Sequence, residues 1–356
     1  MRLTSTFFFA LYAVTCITGC AQKTSLHIPL AIESKTKMNL NNKYKFDNNI
    51  QILFKEISSG DKLNTIYSQG ANYEDSNMNK IADDLDTGFF NPASTIKVAI
   101  ALVTLEKLAT EKLNLSTQYK DLQSNEWHKV KEDIKKMLVI SDNDATNRLI
   151  LWIGFTELNN GIKKLNIKGM EINRLMLDKG TLVNSPIHMV KNANKITYQK
   201  SQIANINPSC YEINKKVGNC ATAESLILSM SLAAGGSRNS FQKTDSNKLY
   251  VENQIWLSNI LSKKPKELGY NYESNYCRFI DGFVLPSTFQ TIDLILSKCG
   301  VALFSNTFSD LSFFKMNNGR KYLLLIVKKY SIIPSGKSIV KDFRAIAGQL
   351  LQNVDK

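Results

Sequence analysis

Apolar and polar positions alternate at both ends of the chain and follow a helical period in between. Ile50-Gln51-Ile52-Leu53-Phe54 and Leu63-Asn64-Thr65-Ile66-Tyr67 flank Ser58-Ser59-Gly60-Asp61, which predicts a β-hairpin turning at Gly60-Asp61. From Ser94 to Leu113 the apolar residues Ile96, Ala99, Ile100, Val103, Leu105 and Leu108 fall at helical spacing. Lys135 to Ile153 repeats that pattern, so the chain from 91 to about 285 reads as mainly helical. Strands return at Thr291 to Leu296, Leu311 to Met316 and Tyr322 to Val327, the last two joined by Asn317-Asn318-Gly319-Arg320, a hairpin signal. An amphipathic helix from about Ser338 to Val354 ends the chain. The expected architecture is α/β in the α+β sense: an antiparallel sheet formed from both chain ends (47–90 and 286–356) with flanking helices, enclosing a mostly helical domain (91–285).

The segment before this frame has a different character. Met1-Arg2 is followed by an apolar run from Leu3 to Ile17, too short for a mature bilayer span and the right length for an export signal. The run ends in Ile17-Thr18-Gly19-Cys20, which resembles the bacterial lipobox. Residues 1–19 are therefore expected to be removed and Cys20 to carry lipid, with the polar stretch 20–46 as a tether. This places the protein outside the cytoplasm, at the cell envelope, with its lipid anchor as the membrane contact.

Composition narrows the possibilities without naming a substrate. With 43% hydrophobic and 21% charged residues over 356 positions, the chain can bury a sizeable core, and 17 Gly with 7 Pro exclude collagen-like order. The 45 Lys+Arg against 31 Asp+Glu give +14, compatible with contact to anionic lipid or wall polymer. The lysines are dispersed and form no basic block interleaved with aromatics, so no nucleic-acid partner is expected. Beyond Cys16 and Cys20, four cysteines remain, which allow three pairings. Cys210 and Cys220 bracket a short polar loop containing Gly218 that a local disulfide could close. No CxxC spacing occurs, and the histidines are only His27, His128 and His188, the last two in segments taken as helical. No metal or other cofactor is expected, and a Ser-His-Asp site has little to draw on.

The remaining chemistry gathers at three motifs. Ser94-Thr95-Ile96-Lys97 opens a hydrophobic helix, and a three-residue step puts Ser94 and Lys97 on one face, where a desolvated lysine can activate a serine. Ser-x-x-Lys occurs six times in the chain, so the match at Ser94 gains weight only from its company. Ser141-Asp142-Asn143 follows the apolar stretch Met137 to Ile140. It could simply cap a helix, but it could also supply a relay hydroxyl from Ser141 and an amide contact from Asn143. Lys298-Cys299-Gly300 ends a strand-like run in which the glycine permits close backbone approach.

In this order the three motifs resemble the active-site set of class A β-lactamases, penicillin-binding proteins and related serine hydrolases. The resemblance runs from about residue 47 to the C-terminus and includes Phe90-Asn91-Pro92-Ala93 before the helix and Ala145 and Asn147 after the second motif. It implies a β-lactamase/transpeptidase-like fold. It also implies Ser94 as acylated nucleophile, Lys97 as its proton partner, Ser141 as relay to the leaving nitrogen, Asn143 as substrate contact and Lys298 as electrostatic anchor. Gly300 completes the anchor motif, and the amides of Ser94 and Val301 would form the oxyanion hole. The implied substrate is a β-lactam, with a D-alanyl cell-wall peptide, or a non-catalytic lipoprotein binding module, as the alternatives. The chain departs from the family pattern in three places, the third being the 157 residues between Ser141 and Lys298, a longer middle than the family usually has. The third motif has Cys299, a weak thiol donor, where a hydroxyl is usual. Between Gly169 and Pro186 the only acids are Glu171 and Asp178, neither in the pattern of a deacylating glutamate. The stretch from about 200 to 285 is expected to be an insertion or a set of remodelled helices.

Overall fold

The structure, a computed structural model, describes residues 46, 49–70, 80–81, 89–178, 186–201, 210–211, 218–236, 245–272, 277–281, 291–303, 306–352 and 354. The leader, Cys20 and most of the tether lie outside the described residues. Phe46 is inside them: its backbone exchanges hydrogen bonds with the Gln69 side chain, and its ring meets Tyr67 edge-on.

Along the chain, β1 (Ile50–Ile57) and β2 (Leu63–Gln69) form the first hairpin, with Gly60 at φ 73° and Asp61 at φ 58° in the turn. Helix α1 (Lys97–Thr110) follows, then β3 (Gln118–Asp121), β4 (His128–Lys129) and the helices α2 (Val130–Val139), α3 (Asn143–Ile153) and α4 (Phe155–Lys164). A second hairpin, β5 (Ile187–Asn192) and β6 (Lys195–Lys200), precedes α5 (Ala223–Ala233) and α6 (Asp245–Ser262). The strands β7 (Ile292–Ala302), β8 (Thr307–Met316) and β9 (Lys321–Lys329) and helix α7 (Gly336–Leu351) complete the chain. Shorter strands are named below by their residues.

The main sheet is antiparallel and five-stranded in the order β7-β8-β9-β1-β2, so the two chain ends meet where β1 pairs with β9. Its central strands read as nearly unbroken apolar runs because both faces are covered. On β9, Leu323, Leu325 and Val327 pack into the core shared with α1 and α5, while Leu324 and Ile326 pack with Phe343, Ile346 and Leu350 of α7. Helix α1 is apolar on all sides and buried from Lys97 through Leu105, as a helix at the centre of a core must be.

The region expected to be mainly helical holds α1 to α6, as read, and carries short strands between them that the sequence reading did not include. A four-stranded antiparallel sheet runs β4-β3-β5-β6, and a short sheet joins Phe89–Phe90, Cys220–Thr222 and Met170–Glu171. His128 and His188 therefore lie on strands. His188 is buried, with its Nδ1 3.3 Å from the Ser201 hydroxyl. The helix expected from Lys135 to Ile153 is two helices, because Ser141 adopts φ 57° and breaks the register between them.

Candidate active site

Three elements converge. Ser94 sits in a single 3-10 turn, Ala93–Ile96, that runs directly into α1. The turn is held by the Asn91 side chain, which accepts from the Ala93 amide, and by Thr95, whose amide and hydroxyl both donate to the Pro92 carbonyl. Ala93 takes φ 46°, a conformation costly for a residue with a Cβ, and so turns the chain sharply just before the serine. Among the described residues, neither the Ser94 amide nor its hydroxyl has a hydrogen-bond partner.

Lys97, the first residue of α1, is fully buried. Its ammonium is not bonded to Ser94, as the motif alone suggested. It donates instead to the Asn143 Oδ1 at 2.7 Å, the Ser141 carbonyl at 2.7 Å and the Ser141 hydroxyl at 3.2 Å. The Ser141-Asp142-Asn143 motif does cap a helix, and the same turn brings two of its side chains to Lys97. Asp142 caps α3 by accepting from the Ala145 amide at 2.7 Å, and that turn aims Ser141 and Asn143 at Lys97.

Lys298 enters from β7, an edge strand of the main sheet, yet it is fully buried. Its ammonium donates to the Ser141 hydroxyl at 3.0 Å, across 157 residues of chain, to the Cys299 carbonyl at 3.0 Å and to the Cys277 sulfur at 3.2 Å. Ser141 thus stands between two lysines. Burial holds Lys97 well below the ordinary lysine range, and the neighbouring Lys298 charge adds to the shift. Burial also lowers Lys298 to about 7, with Asp310 working weakly the other way.

Gly300 serves the assembly through close packing of two elements. A Cβ there would lie 2.7 Å from the Pro92 carbonyl, 3.3 Å from the Ala93 Cβ and 2.5 Å from the Ser309 hydroxyl. The glycine is what lets β7 lie against the turn that carries Ser94. The register then fixes Val301. In antiparallel pairing, alternate residues turn both backbone groups away from the partner strand. Cys299 is one of these, since its amide donates to the Cys277 carbonyl rather than to β8. Val301, two residues on, points its amide to the same open edge of the sheet.

Cys299 is not a free thiol, which corrects the expectation for the third motif. It is joined to Cys277, and a second disulfide links Cys210 and Cys220. The Cys277 segment is fastened independently: the amides of Phe279 and Ile280 donate to buried Asp310, which also accepts from Ser297 and Ser312. Arg278 binds Asp281 and the carbonyls of Leu261, Lys263 and Ile295. Cys277 and Asp310 are site-shaping residues that the motifs did not reveal, because both act through contacts made only on folding. Asn147 is a third. Its side chain exchanges two hydrogen bonds with the backbone of Met176 and pins the Met176–Asp178 turn to α3. Of the two acids there, Glu171 lies on a strand paired with Cys220 and accepts from Asn173, while the Asp178 side chain is outside the described set. Among the described residues no group of His, Cys, Asp and Glu could hold a metal ion.

The family model described as the β-lactamase enzyme family matches residues 61–231. No curated protein gives a significant match in sequence. Among solved structures, the chromosome-encoded β-lactamase of Vibrio parahaemolyticus is similar with a TM-score of 0.54 at 13% identity, covering 87% of this chain and 95% of its own. The class A β-lactamase of Mycobacterium abscessus gives 0.52 at 16% identity, covering 86% and 93%. PBP-A, in a mutant solved as an acyl-enzyme complex with penicillin G, gives 0.51 at 17% identity, covering 85% and 90%. At these identities the likeness establishes the fold. Over residues 61–231, just under half of its length, the chain is also similar to the β-lactamase enzyme family, in agreement with the order of the three motifs.

Proposed function

We propose that the chain is a serine hydrolase that opens an amide carbonyl through an ester on Ser94, with β-lactams as substrates. One observation carries the reading: two buried lysines, both shifted toward the neutral form, converge on the single hydroxyl of Ser141 beside the unpartnered Ser94. When substrate binds, the Lys97 amine closes on Ser94, one helical turn away, and takes its proton. Ser94 Oγ forms a bond to the carbonyl carbon, and the oxyanion is held by the amides of Ser94 and Val301. The Ser141 hydroxyl then gives a proton to the leaving nitrogen and is resupplied from the lysines. The C–N bond breaks and the acyl group stays on Ser94. Asn143 and Lys298 orient the substrate.

Hydrolysis of that ester needs a base for water, and the sequence from Gly169 to Pro186 offers only Glu171 and Asp178. That favours a long-lived acyl-enzyme, and with it the second reading, a D-alanyl peptidase acting on wall peptide. The chain is exported and held at the cell envelope by lipid on Cys20. Two disulfides, which need an oxidising compartment to form, support export.

Intact mass after incubation with excess penicillin tests the chemistry. The expected result is a single adduct that decays slowly in the parent and never forms in Ser94→Ala. Rapid decay would assign efficient lactamase turnover. No adduct with penicillin and no release of D-alanine from a wall-type peptide would overturn the catalytic reading in favour of a non-catalytic binding module.

A further inference from the structure

The four-stranded sheet β4-β3-β5-β6 has one face in the core and one toward solvent. Tyr119, Val190 and His188 point inward, where Tyr119 stacks on Trp152 at 4.9 Å. The register assigns the outward positions without ambiguity, since directly paired residues share a face. Gln118 pairs with both Lys129 and Lys191, Lys120 with Met189, Met189 with Tyr198, and Ile187 with Lys200.

That outward face carries four lysines, Lys120, Lys129, Lys191 and Lys200, and no carboxylate at any paired position. Between them stand large apolar side chains left to water: Ile187 at 39%, Ile196 at 47% and Tyr198 at 66% exposure. Trp127 lies at the margin, its ring under the Lys120 ammonium at 5.4 Å. The nearby acids face elsewhere. Asp121 pairs with inward His188, Glu126 sits by His128, and Glu111 is bound by inward Gln199.

We propose that this face docks onto an anionic lipid bilayer. A folded protein leaves several exposed large apolar residues together only where something covers them. Lysines can lay their stems over apolar surface while their heads meet phosphate, and Tyr and Trp suit the boundary between acyl chains and headgroups. A soluble polyanion would use the lysines but not the isoleucines, and a second copy of the same face would bring four like charges against four. The placement also leaves the active site free. The sheet's inner face meets α3 at Trp152, while Ser141 and Asn143 lie at the opposite end of that helix, about 15 Å away along its axis. The surface is independent of the Ser94 chemistry.

The test uses the full chain carrying Cys20→Ala, so that no acyl chain contributes. Binding is measured to phosphatidylcholine vesicles with and without phosphatidylglycerol. The expected result is binding that needs phosphatidylglycerol and weakens with added salt. It should fall at least about tenfold in Lys191→Glu/Lys200→Glu and also fall in Ile196→Ser/Tyr198→Ser. Brominated acyl chains should quench tryptophan fluorescence in the parent and not in Trp127→Phe. Thermal unfolding midpoints matching the parent show that the surface variants are folded. Vesicle binding unchanged in both double variants would overturn the proposal. So would equal binding to soluble polyphosphate without bromine quenching, which would assign the face to a polymer, or a concentration-dependent dimer lost in the variants, which would assign it to a second copy.

Discussion

At the residue scale, the role proposed for Lys298 is set against stability. It is buried on an edge strand with a pKa of about 7, against 10.5 for a free lysine side chain, because desolvation outweighs the help from Asp310. Between those two values the unfolded chain binds more protons than the folded one, so stability rises with pH across that window. Below pH 7 the cost of the buried charge is fully present. Lys298→Met should therefore raise the unfolding midpoint at pH 6 by an amount worth a few kcal/mol, and the gain should shrink steadily toward pH 10. Lys97 is displaced in the same direction, so the variant keeps a smaller rise of its own. Thermal scans at pH 6, 8 and 10 check this, and a gain of constant size would show that the charge is not what the fold resists. The same substitution should abolish acylation, since Ser141 loses the donor at 3.0 Å. In the parent, acylation should decline as pH rises through about 7, where Lys298 loses its charge.

At the scale of elements, the site depends on β7 lying close against the turn that carries Ser94. Gly300→Ala would place a methyl 2.5 Å from the Ser309 hydroxyl, which can turn aside, and 2.7 Å from the Pro92 carbonyl, which is backbone and cannot. The strand must shift, at a cost of about 1–3 kcal/mol, and the Val301 amide shifts with it. The expected outcome is a modest fall in the unfolding midpoint with a far larger fall in acylation rate, read by intact mass over time. Equal small losses in both would mean that the contact only packs. The central strands of the main sheet and α1 were legible in the sequence because burial on both faces leaves an unmistakable apolar run, as in Leu323 to Val327. The hairpin β5–β6 was not, since the alternation of Ile187, Met189 and Lys191 against His188 and Val190 sits amid helices, and in its turn, Ala193-Asn194, the positive φ falls on the alanine rather than on the asparagine. Motif order singled out Ser94, Lys97, Ser141, Asn143 and Lys298 as candidates, and the structure clusters Lys97, Ser141, Asn143 and Lys298. Cys277 and Asp310 could not be found that way, because no spacing links a segment at 277–281 to strands that reach it only in three dimensions.

At the scale of the whole molecule, the two disulfides bear alike on stability and differently on the proposed acylation. Their sequence separations, 10 and 22 residues, imply about 3 kcal/mol each from constraint of the unfolded chain. Cys210–Cys220 joins two short strands, and the three hydrogen bonds to Lys298 involve neither of its residues. Cys277–Cys299 lies on the edge strand itself. It puts a sulfur 3.2 Å from the Lys298 ammonium and occupies the Cys299 amide, so that the open edge begins at Val301. Removing either bridge, as Cys210→Ala/Cys220→Ala or Cys277→Ala/Cys299→Ala, should lower the unfolding free energy by a similar amount. Only the second pair should change the chemistry. The segment stays fastened through Asp310 and Arg278, but the two alanines remove the sulfur 3.2 Å from the Lys298 ammonium and leave room for water there, so its burial is relieved and its pKa moves back toward the free value. The decline of acylation with rising pH should then move upward from about 7 in that variant and stay in place in the first. Denaturant unfolding beside acylation rates across pH makes the comparison. If both variants keep the parent's pH profile, the edge disulfide is a brace for the fold and Lys298 owes its shifted pKa to the sheet and helices around it.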